Sequence, residues 1–177
     1  DIEMKGIDIL LDAWKELSCK LVIAGRGDAG PVFDMITYMD LHNVSVIESP
    51  SEVFKRRLLK NCRALVMPSR YEGWGITAVE AQAAGKPVIG SDAVRDAIHP
   101  MHPTVNGVDE IRDAVKHLID ADFAAHWGES SRAWARQFTW DRMTEEFEHQ
   151  IIYWQVWGNL PAPPDLIFSM KAMTSAD

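Results

Sequence analysis

The stretch PSRYEGWGITAVEAQAAGKPVIG, residues 68–90, decides the reading of this chain. It reads as a strand end, a tight glycine loop, a helix, a turn and the next strand. Two carboxylates sit in it, Glu72 in the loop and Glu80 on the helix, with Gly73 and Gly75 between them at the helix start. The first amides of a helix lack intrahelical partners and carry partial positive charge. Glycines at such a tip let an anionic ligand approach the backbone. From Gly75 to Glu80 the helix advances about 7.5 Å. A diphosphate at the tip would therefore place one sugar near Glu72 and a ribose near Glu80. Carboxylates accept hydroxyl hydrogen bonds, and sheltered ones need them.

Working outward, short apolar runs alternate with helical ones. Gly6–Leu17 carries Ile7, Leu10, Leu11, Trp14 and Leu17 at helical spacing. Strands are expected at Lys20–Ala24, Val44–Ile47, Ala64–Met67 and Pro87–Gly90. Helices are expected at Val32–Leu41, after a turn ending at Pro31, and from a Ser51 cap to about Asn61. This alternation predicts an α/β fold, a Rossmann-like parallel sheet with helices on both faces. Ligands of such sheets bind beyond the carboxyl ends of the strands, which puts Glu72 on that edge. Residues 91–106 read as loop with a short strand near Thr104-Val105. Helices follow at Val108–Asp120 and Asp122–Phe138, and Thr139 caps a last one from Trp140 to about Trp157. Pro161, Pro163 and Pro164 open an irregular tail, residues 158–177.

The same stretch, 68–90, resembles the donor-site signature of retaining glycosyltransferases of the GT-B fold, glycosyltransferase group 1 or family 4. Its hallmark is two glutamates separated by seven residues, following Pro-Ser and spanning Glu-Gly-aromatic-Gly. Glu72 and Glu80 have that spacing, and the match continues through Ala81, Gly85 and Pro87-Val88-Ile89. The resemblance covers residues 5–157. It implies the C-terminal, donor-binding half of such an enzyme, with its first strand largely missing and an acceptor-binding domain upstream.

What the resemblance implies for the site is specific. Glu72 would hold hydroxyls of the donor sugar, and Glu80 the ribose. The amides of Gly73, Trp74, Gly75 and Ile76 would bind the diphosphate, helped by Lys5. The catalytic pair would be Glu72 and Lys5. Gly25 and Gly27 would line the donor cleft. No cofactor or metal is implied; the donor is a nucleotide diphosphate sugar such as a UDP- or GDP-sugar. Lys5 also has a plain reading as a solvated terminal lysine.

Three other features compete. Gly25-Arg26-Gly27-Asp28-Ala29-Gly30 matches the dinucleotide-binding G-x-G-x-x-G, with Glu48 at the end of the next strand. It admits an NAD-dependent oxidoreductase, although a helix precedes its strand. A nucleotide-binding module without catalysis is a further alternative. His99 and His102 form H-x-x-H beside prolines, too few ligands for a metal without a third, and read as surface groups.

The formal charge of −8 argues against nucleic acid as a partner. Lys55-Arg56-Arg57 reads as a solvated helix face. Two distant cysteines, Cys19 and Cys62, give no disulfide framework and suit a reducing, cytoplasmic setting. No apolar run is long enough to span a membrane. Association with the cytoplasmic membrane face would come through the upstream domain.

Overall fold

The computed structural model describes residues 2–142, 144, 145 and 148. Most of the helix expected to end near Trp157, and all of the tail from 158, lie outside them.

Helix α1 spans Ile7–Trp14 and buries Leu10, Leu11, Ala13 and Trp14. It stops three residues short of the expected Leu17. The Lys15 amide turns to the Asp12 carbonyl, a tighter bond than the helical one. The Trp14 indole donates to the Cys19 carbonyl at 3.0 Å. Asn43 donates to the Leu17 and Cys19 carbonyls, which fixes the reversal into the first strand.

Strand β1, Leu21–Gly25, leads through a turn to α2, Gly30–Tyr38, with Pro31 in its first turn where its missing amide costs nothing. Strand β2 is Val44–Glu48. Helix α3, Glu52–Asn61, starts as expected at Ser51, whose hydroxyl accepts from the Phe54 amide at 3.2 Å. Strand β3, Leu65–Met67, feeds the central loop and helix α4, Ile76–Ala83; strand β4, Val88–Gly90, follows. Helices α5, Val108–Ile119, and α6, Ala121–Ala135, complete the core. Thr139 accepts from the Arg142 amide at 3.2 Å, and residues 140–142 are helical, as the capping reading expected.

The strands are parallel throughout. β1 pairs with β2, Leu21 opposite Val44 and Gly25 opposite Glu48; β3 pairs with β4, Leu65 opposite Val88 and Met67 opposite Gly90. This is the expected α/β, Rossmann-like order, with one difference. The hydrogen-bonded ladders of the described residues form two parallel pairs rather than one continuous sheet. The crossover through α3 carries the chain from one pair to the other without closing a ladder between them. Two apolar clusters lie against the strands, and β4 contributes to both, Ile89 to the first and Val88 to the second. Leu11, Trp14, Leu21 and Ile111 belong to the first; Ala78, Ala81, Val88 and Ile98 belong to the second.

Residues 91–106 are more ordered than the loop expected. Asp92–Ala97 forms a 3-10 helix, with Val94 and Ala97 buried. The strand expected at Thr104-Val105 is a single parallel bridge from Thr104 to Gly90. No described helix is long and apolar enough to cross a membrane.

Candidate functional site

The tip of α4 is built from its glycines upward. Gly75 is the residue before the helix, in the left-handed region at φ 95°. A Cβ there would meet Val94 Cγ1 at 3.0 Å and Ala97 Cβ at 3.2 Å. Its missing side chain therefore serves the turn and the packing of the 3-10 helix. Gly73 has nothing within 4 Å of where its Cβ would be. No described side chain caps α4 and no acid stands in its first turn, so its opening amides have no side-chain acceptor among the described residues. Trp74 turns toward the body of the protein, its ring meeting Phe138 edge-on at 5.0 Å. Its indole N–H is sheltered and has no partner among the described residues. Ile76 is mostly exposed.

Glu72 is nearly buried and doubly held. Lys5 Nζ donates to its Oε1 at 2.5 Å, and Ser69 Oγ to the same oxygen at 3.1 Å. Lys5 is thus neither free in solvent nor isolated; its side chain is half-exposed above the carboxylate. Gly6 explains how it gets there. Its φ is 66°, and a Cβ on it would overlap the Pro68 carbonyl oxygen. The turn before α1 lies directly on the loop after β3. Arg70 strengthens the contact, a role the sequence did not disclose. Its guanidinium forks onto both Asp8 carboxylate oxygens at 2.8 and 2.7 Å and also reaches the Glu3 carbonyl. Its amide donates to the Met4 carbonyl at 2.8 Å. The guanidinium holds the Asp8 carboxyl below its usual value.

Glu80 has a different cation. Lys55 Nζ donates to its Oε1 at 2.9 Å and to Glu52 Oε2 at 3.0 Å. The Lys55-Arg56-Arg57 run is therefore not merely a solvated face. The two carboxylates, Glu80 first, hold the Lys55 ammonium above its usual value. Glu80 Oε2 is sheltered and has no partner among the described residues. The two acids of the central motif are held from different elements, Glu72 from the turn before α1 and Glu80 from α3.

Gly25 and Gly27 sit at the carboxyl end of β1. Neither would place a Cβ within 4 Å of another atom, and Gly27 has φ 113°. The Ser49 amide donates to the Gly25 carbonyl at 2.6 Å. Asp28 Oδ1 accepts from the Gly30 amide at 2.8 Å, which shapes the turn into α2. Glu48 is exposed. No hydrogen bond ties this turn to the α4 tip among the described residues.

The histidines correct the sequence reading. His102 is only 2% exposed and stacks on Trp127, centroids 4.4 Å apart and planes 7° from parallel. Both its ring nitrogens are sheltered without partners among the described residues. Burial, then His99 and Arg95, lowers its pKa to about 4. Among the described residues no group of three His, Cys, Asp or Glu is placed to hold a metal.

The model of the family described as glycosyl transferases group 1 matches residues 2–127. The chain belongs to that family. A group 1 glycosyltransferase domain accounts for the whole run from the Lys5 turn to α6, the Gly25–Gly30 turn included. An uncharacterized glycosyltransferase of Methanocaldococcus jannaschii is 26% identical over 149 residues, covering 80% of this chain and 42% of that protein. Sucrose-phosphate synthase from Thermosynechococcus elongatus shares the fold with a TM-score of 0.74 at 20% identity, covering 89% of this chain and 43% of that one. A variant of S. aureus TarM, determined with Fondaparinux, alpha-GlcNAc-glycerol and UDP, has a TM-score of 0.73 at 20% identity, covering 82% of this chain and 32% of that one. This glycosyltransferase domain spans less than half the length of these three proteins.

Proposed function

We propose that this glycosyltransferase domain is the donor-binding half of an enzyme that moves a hexose from a nucleotide diphosphate sugar to an acceptor with retention of configuration. One observation carries the reading: an uncapped helix tip with open backbone at Gly73, flanked by Glu72 and Glu80. The amides of Gly73, Trp74, Gly75 and Ile76 take the diphosphate. Lys5 supplies a cation beside it, Glu72 holds sugar hydroxyls, Glu80 takes the ribose, and Gly25 and Gly27 border the cleft. The UDP in the TarM structure supports a nucleotide diphosphate as the bound group.

The chemistry suits these parts. Departure of a diphosphate develops negative charge on phosphate oxygens. Fixed amides and a lysine stabilise that charge without reorganising. The Lys5–Glu72 pair places the cation against the group that grips the sugar, so both ends of the breaking bond are held in one frame. Acceptor groups belong to an upstream domain in this reading, so residues 1–177 alone bind nucleotide weakly and transfer little.

Calorimetric titration with UDP, GDP and NAD tests the proposal, together with NMR assignment of the product anomer in the full-length protein. Binding of one diphosphate and a retained anomer are expected. Tight NAD binding with no response to either diphosphate overturns the donor reading, and an inverted product overturns retention.

A further inference from the structure

We propose that Lys55 is a positioning and specificity-determining residue of the ribose subsite, so that a Lys55–Glu80 pair, rather than Glu80 alone, reads the sugar hydroxyls of the nucleotide. This rests on the assignment of Glu80 to the ribose.

The geometry carries it in three steps. An ammonium has three N–H donors and no acceptor. Two are taken at Lys55, one by Glu80 Oε1 at 2.9 Å and one by Glu52 Oε2 at 3.0 Å. The third is left over on a side chain that is 28% exposed. Next, Glu80 is held asymmetrically. Oε1 is bound by the lysine, and Oε2 is sheltered with no donor among the described residues. A sheltered carboxylate oxygen without a donor is unfavourable, and a ligand hydroxyl that reached it would relieve that cost. Finally, a sugar hydroxyl is both donor and acceptor. A carboxylate that accepts from it and an ammonium that donates to it match both roles at once. A carboxylate alone matches one.

The lysine is positioned for this by α3 itself. Ser51 caps the helix, and Lys55 stands one turn on, its amide bonded to the Ser51 carbonyl at 2.8 Å. Glu52, three residues back on the same helix, holds the ammonium as well, through Oε2 at 3.0 Å. The signal is invisible in the motif because Lys55 lies 25 residues before Glu80.

The test compares Lys55→Met, Lys55→Gln, Lys55→Arg and Glu80→Gln with the parent full-length protein. The probes are UDP, GDP and their 2′-deoxy counterparts, read by calorimetry, with melting temperature as a fold control. For the diphosphate that the parent binds, Lys55→Met is expected to weaken affinity about three- to tenfold. It should also shrink the preference for the ribose over the 2′-deoxyribose form. Lys55→Arg should restore both in part, since it keeps the charge and donors. General loosening of the fold would weaken both nucleotides alike and leave that preference unchanged.

Should Lys55→Met and Lys55→Gln keep the parent's affinity and ribose preference while Glu80→Gln loses them, the pair is wrong and the ribose assignment stands. Unchanged binding in Glu80→Gln as well removes the ribose assignment. A parent that binds neither UDP nor GDP removes the donor reading and this inference with it.

Discussion

The backbone of Gly6 lies against the carbonyl of Pro68 so closely that no side chain fits between them. Gly6 is also in the left-handed region, at φ 66°. Two independent penalties therefore meet at one position, steric overlap and backbone strain. Gly6→Ala is expected to cost about 2 to 4 kcal/mol of stability. It should also push the preceding turn off the loop and separate Lys5 from Glu72. Thermal unfolding and UDP or GDP titration check both effects. An unchanged melting temperature would mean the turn yields easily and does not set the position of Lys5.

Glu72 is the acid whose loss should separate chemistry from nucleotide binding. Glu72→Gln keeps size and hydrogen-bonding capacity but removes the charge that Lys5 pairs with at 2.5 Å. If Glu72 grips the sugar rather than the nucleotide, affinity for the free diphosphate should change little. Turnover of the full-length enzyme should fall about 100-fold, the order expected when orientation of the reacting group is lost. Equal losses in diphosphate affinity and turnover would show that Glu72 supports the phosphate site instead.

The central stretch was legible because its meaning is local. Glycine turns, a helix start and the spacing of Glu72 and Glu80 are all fixed within 23 residues, 68–90. The strand and helix order was legible from alternating apolar runs. The cations of the site were not, except Lys5. Lys55 reaches Glu80 across 25 residues and Arg70 reaches Asp8 across 62. Such pairs depend on how elements pack, which no local pattern encodes. The 3-10 helix at Asp92–Ala97 was missed for a related reason. Its apolar residues Val94 and Ala97 do not repeat over enough turns to show a helical period; they pack against Gly75. His102 looked like a surface residue because its neighbour in space, Trp127, is 25 positions away in sequence.

That stacked histidine makes stability depend on pH in a defined direction. Its folded pKa is about 4 against an ordinary value of 6.5. The unfolded chain therefore binds the proton more tightly, and stability rises with pH between those values. Conversely, acidification from 6.5 toward 4 removes stability. At pH 5 the loss relative to pH 8 is about 2 kcal/mol from this group. Urea unfolding at pH 8, 6 and 5 measures it. His102→Phe keeps an aromatic ring beside Trp127 and removes the titration, so its stability should be flatter across that range. The same slope in the variant would assign the acid sensitivity to other groups.

The Arg70–Asp8 fork is the last of the ties between the α1 turn and the central loop, and it carries two signatures of its own. Asp8 is held below its ordinary carboxyl value of 3.8 by hydrogen bonding to Arg70. A depressed carboxylate contributes stability above its unfolded pKa and loses it as pH falls through the folded one. The contribution is thus complete at neutral pH and disappears below about pH 4, a window separate from that of His102. Both side chains are partly exposed, so salt should screen the pair as well. Arg70→Ala is expected to lower the melting temperature at pH 7 and low salt. The gap to the parent should narrow at 1 M salt and again at pH 3. A gap that survives both conditions would mean that Arg70 acts through its bond to the Glu3 carbonyl and its packing, not through its charge on Asp8.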